Sequence, residues 1–248
     1  MQPDQIERYA RHLVLKEIGG PGQAALLDAK VAIVGAGGLG GPAALYLAAA
    51  GAGHISLIDD DEVDLSNLQR QIQFSESDIQ SSKVGSLANR LSGLNQNVSL
   101  RPKCQKLTTK NAADLLQGHD LILDGVDDFE TRYAVNEASL ALKIPLISGA
   151  LGRFNGQISL FNAAPNAPCY RCLVPDIPPD AETCAQVGIV GALAGIIGSQ
   201  MALEAIKFIT QSGQSLSGRL YLFDGLKGES RTLALRKDPA CSACNTAP

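Results

Sequence analysis

The sequence predicts an α/β protein: a parallel, doubly wound nucleotide-binding half, continued in one mixed sheet by an antiparallel C-terminal half. Three observations carry that class. Val31-Ala-Ile-Val34, the glycine-rich Gly35–Gly41, a small-residue helical stretch to about Ala50, the run His54–Ile58 and then Asp59 spell strand, turn, helix, strand and acid, the nucleotide-binding βαβ unit. Strand and helix patterns keep alternating as far as Ile144–Ser148, which argues a parallel sheet. After Leu151 the pattern changes, and Asn155-Gly156 between two strand-like pieces is a hairpin signal. No clean linker separates the halves, so one domain over 1–248 is expected, with 1–150 as its nucleotide-binding half and 151–248 as the other.

Taken in order, Asp4–Leu15 carries Ile6, Tyr9, Ala10, Leu13 and Val14 at helical spacing, with Arg8, Arg11 and Lys16 off that stripe. By pattern alone those cations read as a solvated helix face. Gly19-Gly-Pro-Gly22 is expected to break the helix, and Gln23–Ala29 to make a short second one. Beyond the βαβ unit, a helix from Val84 to Leu94 turns Leu87, Leu91 and Leu94 inward, Val98-Ser-Leu100 is a brief strand, and Asn111–Gln117 is a helix. Asp120–Asp124 is an apolar strand ending in Gly125-Val-Asp-Asp128. A helix over 130–142 follows, with Tyr133, Val135, Ala138 and Leu142 on its buried side, and then the strand Ile144–Ser148. Ala163–Pro179 is proline-rich and expected to be irregular. Val187–Leu203 is a long apolar helix, and Arg219–Phe223 and Arg231–Arg236 are the last strands.

At 248 residues the chain can bury a sizeable core, and 45% hydrophobic with 19% charged residues fits a soluble globular protein. A net charge of −4 provides no general basic face, which argues against nucleic acid. The N-terminus lacks the basic-then-apolar pattern of a secretory signal. Val187–Leu203 resembles a membrane span in composition, but Ser199 and Gln200 interrupt it and Gln186 and Glu204 bound it. A buried helix at a subunit interface is the expectation. The expected compartment is the cytoplasm, with the six cysteines mostly reduced.

The glycine turn, with Gly35, Gly37 and Gly40 as G-x-G-x-x-G, lets backbone approach a phosphate at a helix N-terminus, and Asp59 is placed to accept from ribose hydroxyls. That much fits NAD, FAD or ATP equally. The choice comes from Arg70 and Lys83 after the second strand and Asp127 after the Leu121–Asp124 strand: two cations and a separate carboxylate suit a triphosphate with Mg²⁺. The sequence has no G-x-x-x-x-G-K-[ST], which disfavours simple hydrolysis and leaves attack at the α-phosphate with pyrophosphate departing. Cys169-x-x-Cys172 and Cys241-x-x-Cys244 are two chelating pairs suited to a closed, structural Zn²⁺ site, with disulfides as the alternative. Cys104 is expected to be a small buried hydrophobe, and Cys184 is either buried or reactive.

At these residues the chain resembles the ThiF/MoeB family, relatives of the ubiquitin-activating enzymes. Arg8-Tyr-Ala-Arg-His12, Val34–Gly40, Leu65-Ser-Asn-Leu-Gln-Arg-Gln71, Lys83, Asp124–Asp127, Cys169-Tyr-Arg-Cys172, Glu204-Ala-Ile-Lys207 and the final Cys-x-x-Cys carry the resemblance. It implies a Rossmann-like ATP half joined to an antiparallel half, a homodimer, and ATP-dependent adenylylation of the C-terminal Gly-Gly of a ubiquitin-like sulfur carrier protein. It assigns Gly35, Gly37, Gly38 and Gly40 to the nucleotide turn and Asp59 to the ribose. Asn67, Arg70 and Lys83 fall to the phosphates, Asp127 to Mg²⁺, and Arg11 to the ATP of the partner subunit. Asp61 and Gln71 complete the nucleotide set. Asp128 departs from the family's usual asparagine, and its carboxylate is expected either to strengthen Mg²⁺ binding or to repel ATP. The sequence stops at the second Cys-x-x-Cys, so the sulfur is expected from a separate donor. Asp59-Asp-Asp61, Leu220–Gly225 and Leu233–Arg236 look more like the branch serving the thiamine carrier ThiS than that serving the molybdopterin carrier MoaD. In the ThiS branch the cysteine matching Cys184 is linked to the carrier during sulfur transfer. A noncatalytic nucleotide-binding scaffold is the remaining alternative.

Overall fold

The computed structural model of the chain describes residues 1–177 and 188–245. Eight strands of the described residues form one sheet: β1 (Lys30–Val34), β2 (His54–Ile58), β3 (Ser99–Lys103), β4 (Leu121–Asp124), β5 (Leu146–Leu151), β6 (Asn155–Phe161), β7 (Arg219–Asp224) and β8 (Glu229–Ala234). Their spatial order is β3-β2-β1-β4-β5-β6-β7-β8. Neighbours from β3 to β5 are parallel, and those from β5 to β8 antiparallel. This is the mixed α/β architecture the sequence predicts. Strand order reverses between β2-β1 and β4, and that reversal opens a crevice at the strands' C-terminal ends.

The central strands are buried on both faces, so they read as continuous apolar runs. Alternate residues serve opposite cores. Val31 and Ile33, Ile55 and Leu57, and Leu121 and Leu123 face one core, shared with helices α4 (Gly40–Ala50), α5 (Lys83–Leu94) and α9 (Gly191–Thr210). Ala32, Val34, Ile58, Ile122 and Leu146 face the other, under α6 (Ala112–Leu116) and α7 (Phe129–Leu142). A small residue of α9 permits close approach to the start of α4: a Cβ on Gly198 would lie 2.6 Å from the Leu39 carbonyl oxygen. Gly51 ends α4 at φ +86°, the left-handed cap glycine adopts without cost. Helix α9 has the length and apolarity of a bilayer span, and here it packs on α4 and on β5 and β6.

The first helix differs from expectation. It is two short pieces, α1 (Pro3–Arg8) and α2 (Ala10–Leu13), broken at Tyr9, whose ring is buried and whose hydroxyl accepts from Asn95 Nδ2 at 2.9 Å. Only Tyr9 of the apolar stripe is buried; Ile6, Ala10 and Val14 are exposed. Gly19-Gly-Pro-Gly22 is not a breaker but the first turn of α3 (Gly19–Asp28). Proline costs nothing in a first turn, where its missing N–H would have no partner. Leu94 is exposed rather than inward, because it is the last residue of α5; Leu87 and Leu91 are buried. The hairpin between β5 and β6 exists, but its turn is 152–154: Asn155 and Gly156 already pair with Asp224 and Phe223 of β7. A Cβ on Gly156 would sit 2.3 Å from Ile197, so this glycine admits α9 to the sheet rather than making a turn. The irregular stretch contains one short helix, α8 (Tyr170–Leu173).

Candidate functional site

The crevice at the ends of β1, β2 and β4 is a cavity of about 860 Å³. Gly35, Gly37, Gly38, Asp59, Asp61, Asn67, Arg70, Gln71, Lys83 and Asp127 all line it, so the parallel sheet gathers most of the predicted residues. The glycines divide into two kinds. Gly35 sits at φ +88°, and a Cβ on Gly40 would lie 1.8 Å from the Gly35 carbonyl oxygen. Gly40 does not line the cavity; it closes the turn on itself. At Gly37 an added Cβ would meet nothing nearer than the Gln71 amide at 3.4 Å, so internal packing does not require glycine there. What its missing side chain leaves open is room for a ligand to approach backbone.

Asp59 accepts from the Ala36 N–H at 2.7 Å with one oxygen and from the Asp61 N–H at 2.9 Å with the other. Burial pushes its carboxyl above the ordinary carboxylate value, against those two bonds and the nearby Lys83 charge. Each oxygen keeps a lone pair for a hydroxyl donor. The loop from β2 to α5 is held by its own side chains: Asp64 caps a 3₁₀ turn at Leu65–Asn67, and Arg70 Nη1 bonds the Ser66 carbonyl at 2.9 Å. Lys83 occupies the first turn of α5. Its Nζ, buried, pairs with exposed Asp61 Oδ2 at 2.7 Å. A cation at the positive end of a helix is unfavourable alone, so this corner favours an anion. Gln71 is buried, and its Oε1 has no hydrogen-bond partner. An orphaned buried acceptor in a residue of the cavity wall fits an absent donor.

Asp127 is exposed at the cavity wall, and its carboxylate makes no hydrogen bond or ion pair among the described residues. One such carboxylate beside a glycine-rich turn fits a Mg²⁺ ion, which is usually held by one or two carboxylates plus substrate phosphates. Asp128 lines the cavity too, but its Oδ1 caps α7 by accepting the Thr131 N–H at 2.8 Å. An asparagine oxygen would cap equally well.

Two buried residues escaped sequence reasoning, Gln73 behind the glycine turn and Arg132 in the cavity lining. Gln73, buried, donates from Nε2 to the Ala36 and Gly37 carbonyls at 2.9 and 3.0 Å, clamping the glycine turn. Arg132, buried on α7, bonds Asp124, Ser148 and the Val126 and Gly149 carbonyls. Gln73 has no local signal. Arg132 has a faint one, a cation on the otherwise buried face of a helix.

The four paired cysteines meet across 72 residues of chain: Cys169 and Cys241 Sγ are 3.6 Å apart, Cys172 and Cys244 3.5 Å, and Cys169 and Cys172 3.9 Å. A tetrahedron with Zn–S of about 2.3 Å has edges of about 3.8 Å, so the cluster fits zinc, and these separations are far beyond a disulfide bond of about 2.05 Å. Burial raises the Cys169 thiol and pushes Cys244 up to about 11. At Cys241 burial is outweighed by the Cys244 and Ala243 N–H groups and thiol neighbours, bringing it down to about 7. The Asp238 N–H points at Cys172 Sγ from 3.4 Å, a backbone donor suited to a thiolate. Cys104 is exposed, not the buried hydrophobe expected, because it follows the last residue of edge strand β3. Arg11 is exposed on α2 and does not line the cavity. Cys184 lies outside the described residues.

The chain matches the ThiF family over residues 9–243. It is 44% identical over 99% of its length to the adenylyltransferase and sulfurtransferase MOCS3 of Anopheles gambiae, and spans 56% of that relative. The chain thus covers just over half the length of its MOCS3 relatives. It is 39% identical to the sulfur carrier protein adenylyltransferase of Thermus thermophilus, covering 99% of this chain and 93% of that one. To the SAMP-activating enzyme E1 of Haloferax volcanii it is 40% identical, covering 97% and 89%. Among solved structures, E. coli MccB with ATP shares the fold at 22% identity and a TM-score of 0.83, over 96% of this chain and 75% of that one. The family match over residues 9–243, with relatives 39–40% identical that the chain covers nearly end to end, makes the chain a member of the ThiF family.

Proposed function

We propose that the protein adenylylates the C-terminal carboxylate of a ubiquitin-like sulfur carrier protein ending in Gly-Gly, at the expense of ATP. The observation that carries this reading is one cavity joining the glycine turn, Asp59, the Arg70 and Lys83 cations and the uncommitted Asp127, with no lysine-bearing phosphate loop in the sequence. Asp59 holds the ribose hydroxyls. Asn67, Arg70 and Lys83 hold the phosphates, Lys83 leaving Asp61 for the stronger anion. Asp127 holds Mg²⁺, which when bound neutralises charge on the phosphate oxygens. An oxygen of the carrier carboxylate bonds to the α-phosphorus as the bond from that phosphorus to the bridging oxygen breaks, and pyrophosphate leaves with the electron pair. No side chain need move a proton, because the nucleophile is already ionised. Catalysis is positioning and charge stabilisation.

The names of the relatives support a sulfur carrier; MOCS3 and the SAMP-activating enzyme point toward a MoaD-type carrier, whereas the segments at Asp59–Asp61 and Leu220–Gly225 look more like the ThiS branch, and pyrophosphate exchange with each carrier decides between the two. The cysteine cluster binds one structural Zn²⁺, which requires reduced thiols and so fits the cytoplasm. The active unit is a homodimer in which Arg11 completes the partner's site. Arg11 lies outside its own cavity, and Ile196 and Leu203, one face of α9, are 41% and 49% exposed.

The test is exchange of labelled pyrophosphate into ATP with purified ThiS and MoaD. Exchange with either carrier is expected, and Asp127→Ala should lower it by about 100-fold or more, the scale of losing one charge-stabilising group. If neither Gly-Gly carrier supports exchange, the enzyme reading fails.

A further inference from the structure

Asp127 sits on the short loop between β4 and α7, and that loop is fixed on both sides of it. Before it, the Gly125 N–H bonds the Val34 carbonyl at 2.9 Å and the Val126 N–H bonds Asp124 Oδ1 at 3.1 Å. After it, Asp128 caps α7. The Val126 carbonyl, one residue from Asp127, is gripped by Arg132 Nη2. The same nitrogen donates to the Gly149 carbonyl of β5 at 2.8 Å. Nη1 donates to Ser148 Oγ at 3.0 Å and Asp124 Oδ2 at 3.3 Å, and Ser148 Oγ donates to that same Asp124 oxygen at 2.7 Å. Arg132 is 6% exposed and Asp124 1%, so every one of these groups depends on the network for its partners. Beneath it lies the ring of Tyr170, 5.8 Å from the guanidinium carbon, in the residue that follows Cys169.

We propose that Arg132 is the positioning residue for Asp127, fixing the β4–α7 loop so that the carboxylate is presented to Mg²⁺ without being consumed by protein contacts. The proposal rests on the assignment of Asp127 above. It also explains why the residue is arginine. Two terminal nitrogens in a rigid plane serve four acceptors on two strands and a loop, which a single ammonium cannot do. Asp127 itself contributes to no bond that holds the loop, so its freedom is a product of the loop being held by others.

The test is ATP binding without any carrier, by calorimetry over a series of MgCl2 concentrations, for wild type, Arg132→Lys, Ser148→Ala and each combined with Asp127→Ala. For Arg132→Lys the Mg²⁺ concentration giving half-maximal enhancement should rise by roughly tenfold or more, the scale of groups that orient a metal ligand. ATP binding in EDTA should be unchanged, because Asp59, Arg70 and Lys83 are intact. In the Asp127→Ala background the substitution should add nothing. Ser148→Ala, which removes one hydroxyl from the network, should shift the Mg²⁺ dependence in the same direction by less, and it decides the matter if Arg132→Lys does not fold. An unshifted Mg²⁺ dependence in a folded variant, or equal loss of binding with and without Mg²⁺, overturns the proposal. Mg²⁺-independent binding by wild type overturns it together with the Asp127 assignment. Failure of carrier exchange alone would sink the proposed reaction and leave these arms standing.

Discussion

Lys83 and His119 show how burial assigns a residue its behaviour. Lys83 Nζ is held at a helix N-terminus by one exposed carboxylate, Asp61, a pairing a phosphate can replace at little cost because Asp61 is returned to water it already touches. His119 is the opposite case, a partly buried ring with both nitrogens engaged: Nδ1 lies 2.9 Å from the Leu116 carbonyl and Nε2 2.8 Å from Ser56 Oγ. A carbonyl beside Nδ1 requires the proton there, so neutral Nε2 accepts from the serine. Burial holds the imidazole below its ordinary value of 6.5, and the Lys103 and Arg101 charges add to that. The folded state therefore binds fewer protons than the unfolded state just below pH 6.5. Stability from this group is fully present above that pH and is lost as pH falls toward the folded value. Urea titrations stepped downward from pH 7 should show a decline in wild type that His119→Gln flattens. A parallel decline in both proteins would remove His119 as its source.

At the scale of elements, α8 and the C-terminal tail have little of their own to hold them. Helix α8 is four residues long, too short to persist alone, and the tail after β8 contributes Cys241 to the interior and little else. Their anchor is the four-sulfur cluster, joined to α7 by the Tyr170 N–H on Asn136 Oδ1 at 2.8 Å and by Arg171 stacked over Tyr133 at 3.7 Å. Metal analysis of reduced protein should find about one Zn²⁺ per chain, and Cys172→Ser should abolish it. Zinc loss should lower the melting temperature by several degrees, at about 2–4 °C per kcal/mol for a chain this size. A zinc-free preparation that melts with wild type would remove the structural role. Strand β8, by contrast, needs no such staple: it is an exposed edge, and Glu229 and Arg231 on it discourage pairing with another chain.

For the whole molecule, the sheet order matters more than any one strand. Placing β1 between β2 and β4 brings Asp59, Lys83 and Asp127 to one crevice although 68 positions separate the first from the last. The exposed apolar residues Val14, Ile196 and Leu203, with Arg11 outside the cavity, motivate the proposed shared-site dimer. Mixing Arg11→Ala and Lys83→Ala chains should restore about a quarter of the wild-type exchange rate, since random pairing puts half the chains in mixed dimers with one complete site of two. No recovery, with mixed dimers shown to form, would place Arg11 outside the partner's site.

What the sequence determined by itself was local. A β-branched run, a glycine turn and an acid specify a βαβ unit because each acts within one turn or strand, and the cysteine pairs are chelating wherever the chain takes them. Where local signals had two readings, tertiary packing chose. Gly156 looked like a hairpin turn and instead makes room for Ile197. Gly19–Gly22 looked like a break and starts a helix. Leu94 continued a buried stripe by spacing and lies beyond the core. The clamp at Gln73 has no local signal and that at Arg132 only a faint one, because their partners, the glycine-turn carbonyls and β5, lie in other elements. Which of many buried polar groups will satisfy one another is settled only when the sheet has assembled, since an unpaired buried donor or acceptor costs more than most local preferences supply.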